Sequence, residues 1–281
     1  MSINKAEFFD DLFSEDYNFY VARFAKPIEF IGRDSKNLLV TIGDNWTRGF
    51  NFGETSPEQP FPHLDRRYGE IISEQLGWDF LTLSIPSMPN LWMAQKYQQI
   101  CENYASMGYD RVKVIITFAE YGREFSTQFD AEFPELVEKY KTCSTAVDAM
   151  RAISSQIADI LAIDSPVELS VGLAYTSNLY PTSLNCLPMT WAEVLKNEPI
   201  PEFCVLLLDQ FVDNFKELAR INPAVDLTEL NSELDQLSTA ATNRRTLLNN
   251  TGYTLDPELC WPNALGHQLW ADYILANVDF S

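Results

Sequence analysis

The sequence predicts an α/β fold in which a central parallel sheet is packed between helices. Short apolar runs rich in β-branched residues alternate with longer helical patterns, which is the order expected of βαβ units. The chain has 281 residues, of which 46% are apolar, so it can bury one substantial core. No repeat, low-complexity segment or linker interrupts it. We therefore expect a single domain over residues 1–281.

Four apolar runs are predicted as the strands of the sheet. They cover Asn37–Ile42, Asp79–Ile85, Arg111–Phe118 and Val167–Tyr175. Helices are predicted between them at Leu64–Leu76, Leu91–Met107 and Pro134–Ala162. Right-handed crossovers would then join each strand to the next.

The two ends of the chain carry further helical patterns. Residues 1–36 are predicted as an N-terminal helical extension. After the fourth strand, helices are predicted at Glu202–Arg220, Asp226–Asn249 and Ala264–Asn277. The run at residues 226–249 is polar, which indicates a solvent-facing helical excursion and an interaction surface.

The charge of the chain argues against two classes of partner. Asp and Glu outnumber Lys and Arg by 40 to 20, which gives a formal net charge of -20. This charge repels phosphate backbones and anionic lipid head groups, so we expect no nucleic-acid and no membrane partner. The acidic residues are dispersed and form no tail, which is typical of a soluble, self-repelling surface.

The cysteines and the N-terminus indicate a reducing, cytoplasmic location. Five cysteines are widely spaced and include no CxxC pair, which argues against a disulfide framework and a zinc site. We expect no metal and no cofactor. The N-terminus has acidic residues where a signal peptide needs a basic region, and no stretch approaches the ~18 apolar residues of a membrane span.

The end of the first predicted strand carries a motif with chemical meaning. Reactive groups of open parallel sheets lie at the carboxyl ends of strands. Here LLVTI runs into Gly43-Asp44-Asn45-Trp46-Thr47-Arg48-Gly49. This G-D-x-W-T-x-G run resembles the first conserved block of the SGNH/GDSL hydrolases, in particular members carried by bacteriophages, including those of marine cyanobacteria. The resemblance implies the flavodoxin-like, three-layer α/β/α fold of that superfamily.

The family has serine at the third position of this block, where this chain has Asn45. A carboxamide has no ionisable proton and no oxygen comparable to an activated hydroxyl, so a neighbouring base could not generate an attacking alkoxide. The side chain can still donate and accept hydrogen bonds. Asp44 is expected to be a structural hydrogen-bonding residue at the strand-to-helix turn.

The last block of the family, D-x-x-H-P followed by a G-H-x-x-W-A helix, resembles ELCWPNALGHQLWA at residues 258–271. The resemblance puts Trp261 at the general base and Glu258 at the acid that orients it. An indole has no basic lone pair, so the base is absent. His267, about two turns downstream, is interpreted as a helix histidine satisfied by packing and backbone contacts. His63 is interpreted as a surface or capping residue, with the mouth of the cleft as the alternative.

The two middle blocks of the family supply oxyanion donors. Ser87 is the counterpart of the glycine in the second block, and its backbone N–H could still donate. The third strand runs into Ala119-Glu120-Tyr121-Gly122-Arg123-Glu124, which is similar to the T-E-x-G-R-E of phage members. A carboxylate at Glu120 would repel an oxyanion unless it were paired with Arg123 or protonated.

We interpret the chain as a catalytically inactive member of this family that serves as a binding or structural component, such as a phage virion protein. A protein partner or self-assembly is expected. Aromatic side chains around the old cleft are expected to plug it, with stacking on a carbohydrate as the alternative. The residues expected to line this cleft are Asp44, Trp46, Thr47, His63, Tyr121, Arg123 and His267, together with Trp261.

The alternative interpretation is an esterase that acts on acylated carbohydrate or other esters through a rearranged site. The candidate nucleophiles are Thr47, Ser87 and Cys260, none of which has an evident histidine partner. A carboxylate mechanism would instead use Asp44 and Glu258.

Overall fold

A computed structural model describes residues 4–14, 28–49, 66–85, 88–119, 124, 134–174, 186–194, 216–228, 262 and 264–281. The strands are β1 (Ile28–Ile31), β2 (Asn37–Gly43), β3 (Asp79–Ser84), β4 (Arg111–Phe118) and β5 (Glu168–Leu173). The helices are α1 (Lys5–Leu12), α2 (Asn45–Arg48), α3 (Tyr68–Leu76), α4 (Asn90–Met107), α5 (Pro134–Tyr140), α6 (Ala146–Leu161), α7 (Trp191–Val194) and α8 (Ala264–Asn277). No helix in these ranges is long and apolar enough to cross a membrane.

The five strands form one sheet in the order β1-β3-β2-β4-β5. β1 is antiparallel to β3, and the other neighbours are parallel. The four predicted strands are therefore confirmed. Because β3 and β4 lie on opposite sides of β2, the strand order reverses at β2, and the crevice between β2 and β4 is the topological switch point.

Helices cover both faces of the sheet, which confirms the predicted α/β/α class. Side chains alternate along β2, so that Leu38, Val40 and Ile42 face one core while Leu39 faces the other. The first core lies against α1, α4 and α6. The second core lies against α3 and α8 and includes Trp46 and Trp191. The second core bears on the candidate site because Trp46, which lies just after the end of β2, packs in it.

The N-terminal segment contains more than the predicted helical extension. Helix α1 is present, with Phe9 and Phe13 buried in the first core, but Ile28–Ile31 forms strand β1 at the edge of the sheet. This strand gave no periodic signal because it has only four residues, most of them half-buried. The segment is therefore part of the sheet as well as of the helical layer.

The single helix predicted at Pro134–Ala162 is two helices, α5 and α6. The side chain of Thr145 caps α6 by accepting the Asp148 N–H at 3.1 Å. The residues on either side of the cap pair with another segment, since Asp226 N donates to Ser144 O and Ala146 N donates to Asp226 O. Asn222 donates to Tyr140 O at the end of α5. These contacts use backbone groups that a continuous helix would need internally.

The remaining predicted helices are described to different extents. α4 and α8 match their predicted bounds within one residue. α3 begins at Tyr68, and residues 64 and 65 of its predicted range lie outside the described residues. Residues 216–221 are helical, whereas 202–215 and 229–249 lie outside the described residues.

Candidate functional site

The strand-to-helix turn after β2 is built by Asp44. Its Oδ1 accepts the Trp46 N–H at 3.0 Å, and its carbonyl accepts the Arg48 N–H at 2.9 Å. A carboxylate at this place satisfies an otherwise unpaired donor of the first helical turn. Asp44 is 2% exposed, so the carboxylate that stabilises the turn is buried. Asn45 is thereby fixed as the first residue of α2, at the carboxyl end of β2.

Gly43 allows α2 to approach the sheet closely. A Cβ at this position would lie 2.0 Å from Thr47 Oγ1 and 2.6 Å from Thr47 Cβ, so any side chain would displace the helix. The carbonyl of Thr117 in β4 is also close, at 3.2 Å. Thr47 is consequently buried against the ends of β2 and β4, with 2% of its surface exposed.

Trp46 packs in the second core. Its ring meets Trp191 edge-on at 5.2 Å, and Trp191 in turn stacks on Trp270 at 5.5 Å. Trp46 is 3% exposed. The reason is geometric, because the short helix α2 turns this side chain towards Trp191 at the start of α7. Thr47 is buried in the same way, so the side chains of Trp46 and Thr47 are not available to a ligand.

His267 lies in the same core and is fully buried. Its Nδ1 accepts the Tyr68 N–H at 3.2 Å, and its ring stacks on Tyr68 and meets Trp191 edge-on. Gly49, which has a φ of 64°, lies against the ring, since a Cβ there would be 2.9 Å from Nε2. Burial, and then the charge of Arg67, lower the pKa of His267 from 6.5 to about 3. The imidazole is therefore neutral, with its proton on Nε2 because Nδ1 is an acceptor.

Two buried arginines lie on the β3 side of this core and were not singled out from the sequence. Nη2 of Arg67 binds Glu29 at 2.8 Å and Glu70 at 2.5 Å. Nη1 of Arg48 donates to Ser84 O, at the end of β3, at 3.1 Å. Burial, and then the charge of Arg67, lower the pKa of Arg48 to about 10. The contacts with Glu29 and Ser84 have no local signal in the sequence, because these partners lie 38 and 36 positions away in the chain.

The loops after β3 and β4 are tied to one another. Oδ1 of Asn90 accepts the Ala119 N–H at 2.9 Å, and Nδ2 of Asn90 donates to Ala119 O at 3.3 Å. Oε1 of Glu124 accepts the Leu91 N–H at 3.3 Å. The loop after β3 is also joined to β2, because Ile85 N donates to Gly43 O at 3.2 Å. The carboxyl edge of the sheet is therefore one connected set of loops.

Several residues predicted for the site lie outside the described residues. These are His63, Ser87, Glu120, Tyr121, Arg123, Glu258, Cys260 and Trp261, together with the side chain of Asn45. Within the described ranges, no group of three or more His, Cys, Asp or Glu residues could hold a metal ion. In the same ranges, the carboxyl edge offers buried carboxylates and amides rather than a hydroxyl paired with a histidine.

Two solved structures resemble the chain over most of its length. A catalytic mutant of an acetylxylan esterase from Geobacillus stearothermophilus is 14% identical, with a TM-score of 0.33, over 89% of this chain and 97% of that chain. An alpha/beta hydrolase from the metagenome of Lake Arreo, Spain, is 14% identical, with a TM-score of 0.32, over 86% of this chain and 94% of that chain. No protein-family model and no curated protein matches the chain. The strand order and the two cores on opposite faces of the sheet define the α/β/α class.

Proposed function

We propose that this protein is a non-catalytic relative of the SGNH hydrolases that binds a ligand or a partner instead of cleaving an ester. The observation that carries the proposal is the residue at the carboxyl end of β2. Asn45 begins α2 there, and the resemblance of the G-D-x-W-T-x-G run aligns it with the serine of the family. An amide at that position cannot be activated as a nucleophile.

His267, which lies within the described residues, supports the same proposal. His267 is fully buried and neutral, and its Nδ1 is used by the backbone of α3. A general base must reach the nucleophile and accept a proton near neutral pH. Loss of members of a serine-histidine unit typically lowers turnover by around 10⁶-fold, which is about 8 kcal/mol of barrier.

The role that remains is binding or assembly. We propose a protein partner or self-assembly, as in a virion component, with a carbohydrate as the alternative ligand. Recovery of the protein in purified particles, or a stable complex on size-exclusion chromatography with light scattering, would support the first. A protein that stays monomeric and is absent from every assembly would contradict it.

Ester hydrolysis is the second candidate. It is favoured by Asp44, a buried carboxylate at the carboxyl end of β2, which would act together with Glu258. Buried carboxylates at such an edge are the groups from which an acid/base pair can be made. In that case the substrate would be an acylated carbohydrate or another ester.

An esterase assay separates the two candidates. We expect the wild-type protein to release no acetate from an acetylated carbohydrate and to show no labelling by a fluorophosphonate. Turnover that Asn45→Ala abolishes, or stoichiometric labelling of any residue, would contradict the non-catalytic proposal. Turnover that persists in Asn45→Ala but is lost in Asp44→Asn would favour the carboxylate mechanism. The double variant Asn45→Ser with Trp261→His is the matched test of the scaffold, since we expect it to gain esterase activity.

A further inference from the structure

Two buried side chains carry hydrogen-bond donors that find no acceptor within the described residues. These donors are Nε and Nη1 of Arg67 and Nε2 of His267. Nε2 carries the proton of the neutral ring, because Nδ1 accepts the Tyr68 N–H. Arg67 is 1% exposed and His267 is fully buried, so bulk water does not reach these donors. Buried donors without a partner are rare in native proteins and indicate an ordered occupant that supplies the acceptor.

The unpaired donors belong to one place in the fold. The position that a Cβ on Gly49 would take lies 2.9 Å from Nε2 of His267 and 3.0 Å from Cγ of Arg67. Both side chains therefore meet over the same buried glycine, just after α2. The pKa of His267 points the same way, since the charge of Arg67 contributes to its lowering after burial.

The charge of this place is set by two guanidinium groups. Glu29 and Glu70 both bind Nη2 of Arg67, so neither carboxylate serves Nε or Nη1. Arg48 adds a second buried positive charge. Burial, and then the charge of Arg67, lower the pKa of Arg48 to about 10. The two guanidinium groups are therefore close enough to repel each other, and an anion beside them would reduce this repulsion.

An anion suits these donors better than a water molecule does. Water brings two donors of its own, which would need acceptors in turn, whereas a halide ion accepts several hydrogen bonds and donates none. Arg48, Gly49, Arg67 and His267 are all buried, so the occupant is taken up into the core. This burial favours a monatomic anion over a phosphate or carboxylate ligand.

We infer that the protein binds a buried chloride ion between Arg67 and His267. The ion accepts the N–H groups of Arg67 and the Nε2–H of His267, and Arg48 adds a favourable charge. It joins three helices, because His267 lies on α8, Arg67 is the N-cap residue of α3 and Gly49 follows α2. The site is separate from the proposed function and does not depend on whether the protein is catalytic.

Chloride is the probe that tests this inference. The thermal midpoint of the full chain is measured at constant ionic strength while sodium chloride replaces sodium gluconate, whose anion is too large for a buried monatomic site. The midpoint of the wild type should rise with chloride and saturate. The rise should be roughly 2 °C when chloride is tenfold above its dissociation constant. A midpoint that does not depend on chloride would overturn the inference.

Two adjacent arginines provide the variant and its matched control. Arg67→Lys keeps a positive charge beside Glu29 and Glu70 but removes Nε and Nη1, so it should lose most of the chloride response. Arg66→Lys makes the same change at an exposed residue that pairs with Glu74, and it should keep the wild-type response. Equal responses in Arg67→Lys and the wild type would contradict the site, because the ion would then bind elsewhere.

Bromide in crystals of the wild type gives a direct measurement, which decides the question if Arg67→Lys does not fold. We expect an anomalous peak within hydrogen-bond distance of Nε2 of His267 and of the Arg67 guanidinium. A water molecule at that position, or bromide peaks elsewhere only, would overturn the inference. Neither result would bear on the esterase assay, which tests the proposed function by itself.

Discussion

Replacement of His267 by Asn tests the neutral histidine of the second core. The Asn carboxamide oxygen can take over the acceptor role of Nδ1 towards the Tyr68 N–H, so the backbone contact at the start of α3 is kept. The titratable ring is removed. The variant therefore separates the packing role of His267 from its effect on the pH dependence of stability.

The sign and size of that pH dependence follow from the lowered pKa. In the unfolded chain the imidazole takes up a proton below pH 6.5, whereas in the folded protein it stays neutral down to about pH 3. The unfolded state thus binds more protons in this window, and stability falls as the pH drops from 6.5 towards 3. The slope approaches about 1.4 kcal/mol per pH unit once the unfolded imidazole is mostly protonated, so the loss between pH 6.5 and 4.5 is roughly 2 kcal/mol.

Urea denaturation at a series of pH values measures this loss. His267→Asn should be destabilised at pH 7 by roughly 2 kcal/mol because part of the ring volume is left empty. The difference between the two proteins should then shrink as the pH falls, since only the wild type loses the histidine contribution. Carboxylates that titrate below pH 5 affect both proteins and cancel in the comparison.

Proton NMR gives an independent measurement, because the chain has only two histidines, His63 and His267. One imidazole should not titrate between pH 5 and 8, and its signal should be missing in His267→Asn. A His267 signal that titrates near pH 6.5, or parallel pH profiles of stability in the two proteins, would refute the buried, neutral state.

Two further substitutions test the packing that supports the site. Asp79→Asn should cost roughly 3 kcal/mol at pH 7, because the buried carboxylate accepts hydrogen bonds from two backbone N–H groups, Lys5 and a tyrosine hydroxyl. Although burial opposes its charge, these bonds hold the pKa of Asp79 below its usual 3.8, so the difference should disappear as acid titrates the wild type below that pH. The exposed Asp110→Asn is the control, expected within about 0.5 kcal/mol of the wild type by chemical denaturation. Gly43→Ala should lower the thermal midpoint far more than Gly77→Ala, because a Cβ at Gly77 meets open space and costs only backbone strain. Equal midpoints would contradict the close approach of α2.

The sheet could be predicted from the sequence because its signal is local. Runs such as RVKVIITF at Arg111–Phe118 are long, apolar and rich in β-branched residues, and burial on both faces produces that composition. Strand β1 was not predicted because it is short and lies at the edge of the sheet. The break between α5 and α6 was not predicted because it depends on Asp226, which pairs with Ser144 and Ala146 far away in the chain.

The site was predictable only where one residue acts on its immediate neighbours. The Asp44 turn involves Trp46, two positions away, and follows from the residue type. The contact between Glu124 and Leu91 spans 33 positions, and no pattern in the sequence around either residue predicts it. The sequence did not decide which way Trp46 points, because a four-residue helix has too few turns to show which face is buried.

The run G-D-x-W-T-x-G has structural reasons to persist without a nucleophile. Gly43 is required by the contact with Thr47, and Gly49 by its positive φ and the ring of His267. Asp44 caps the turn, and Trp46 fills the second core. Each of these positions is held by burial or backbone geometry. Under the proposed non-catalytic function, the third position of the run can change while the rest stays fixed, because substitution of the buried positions around it would cost stability.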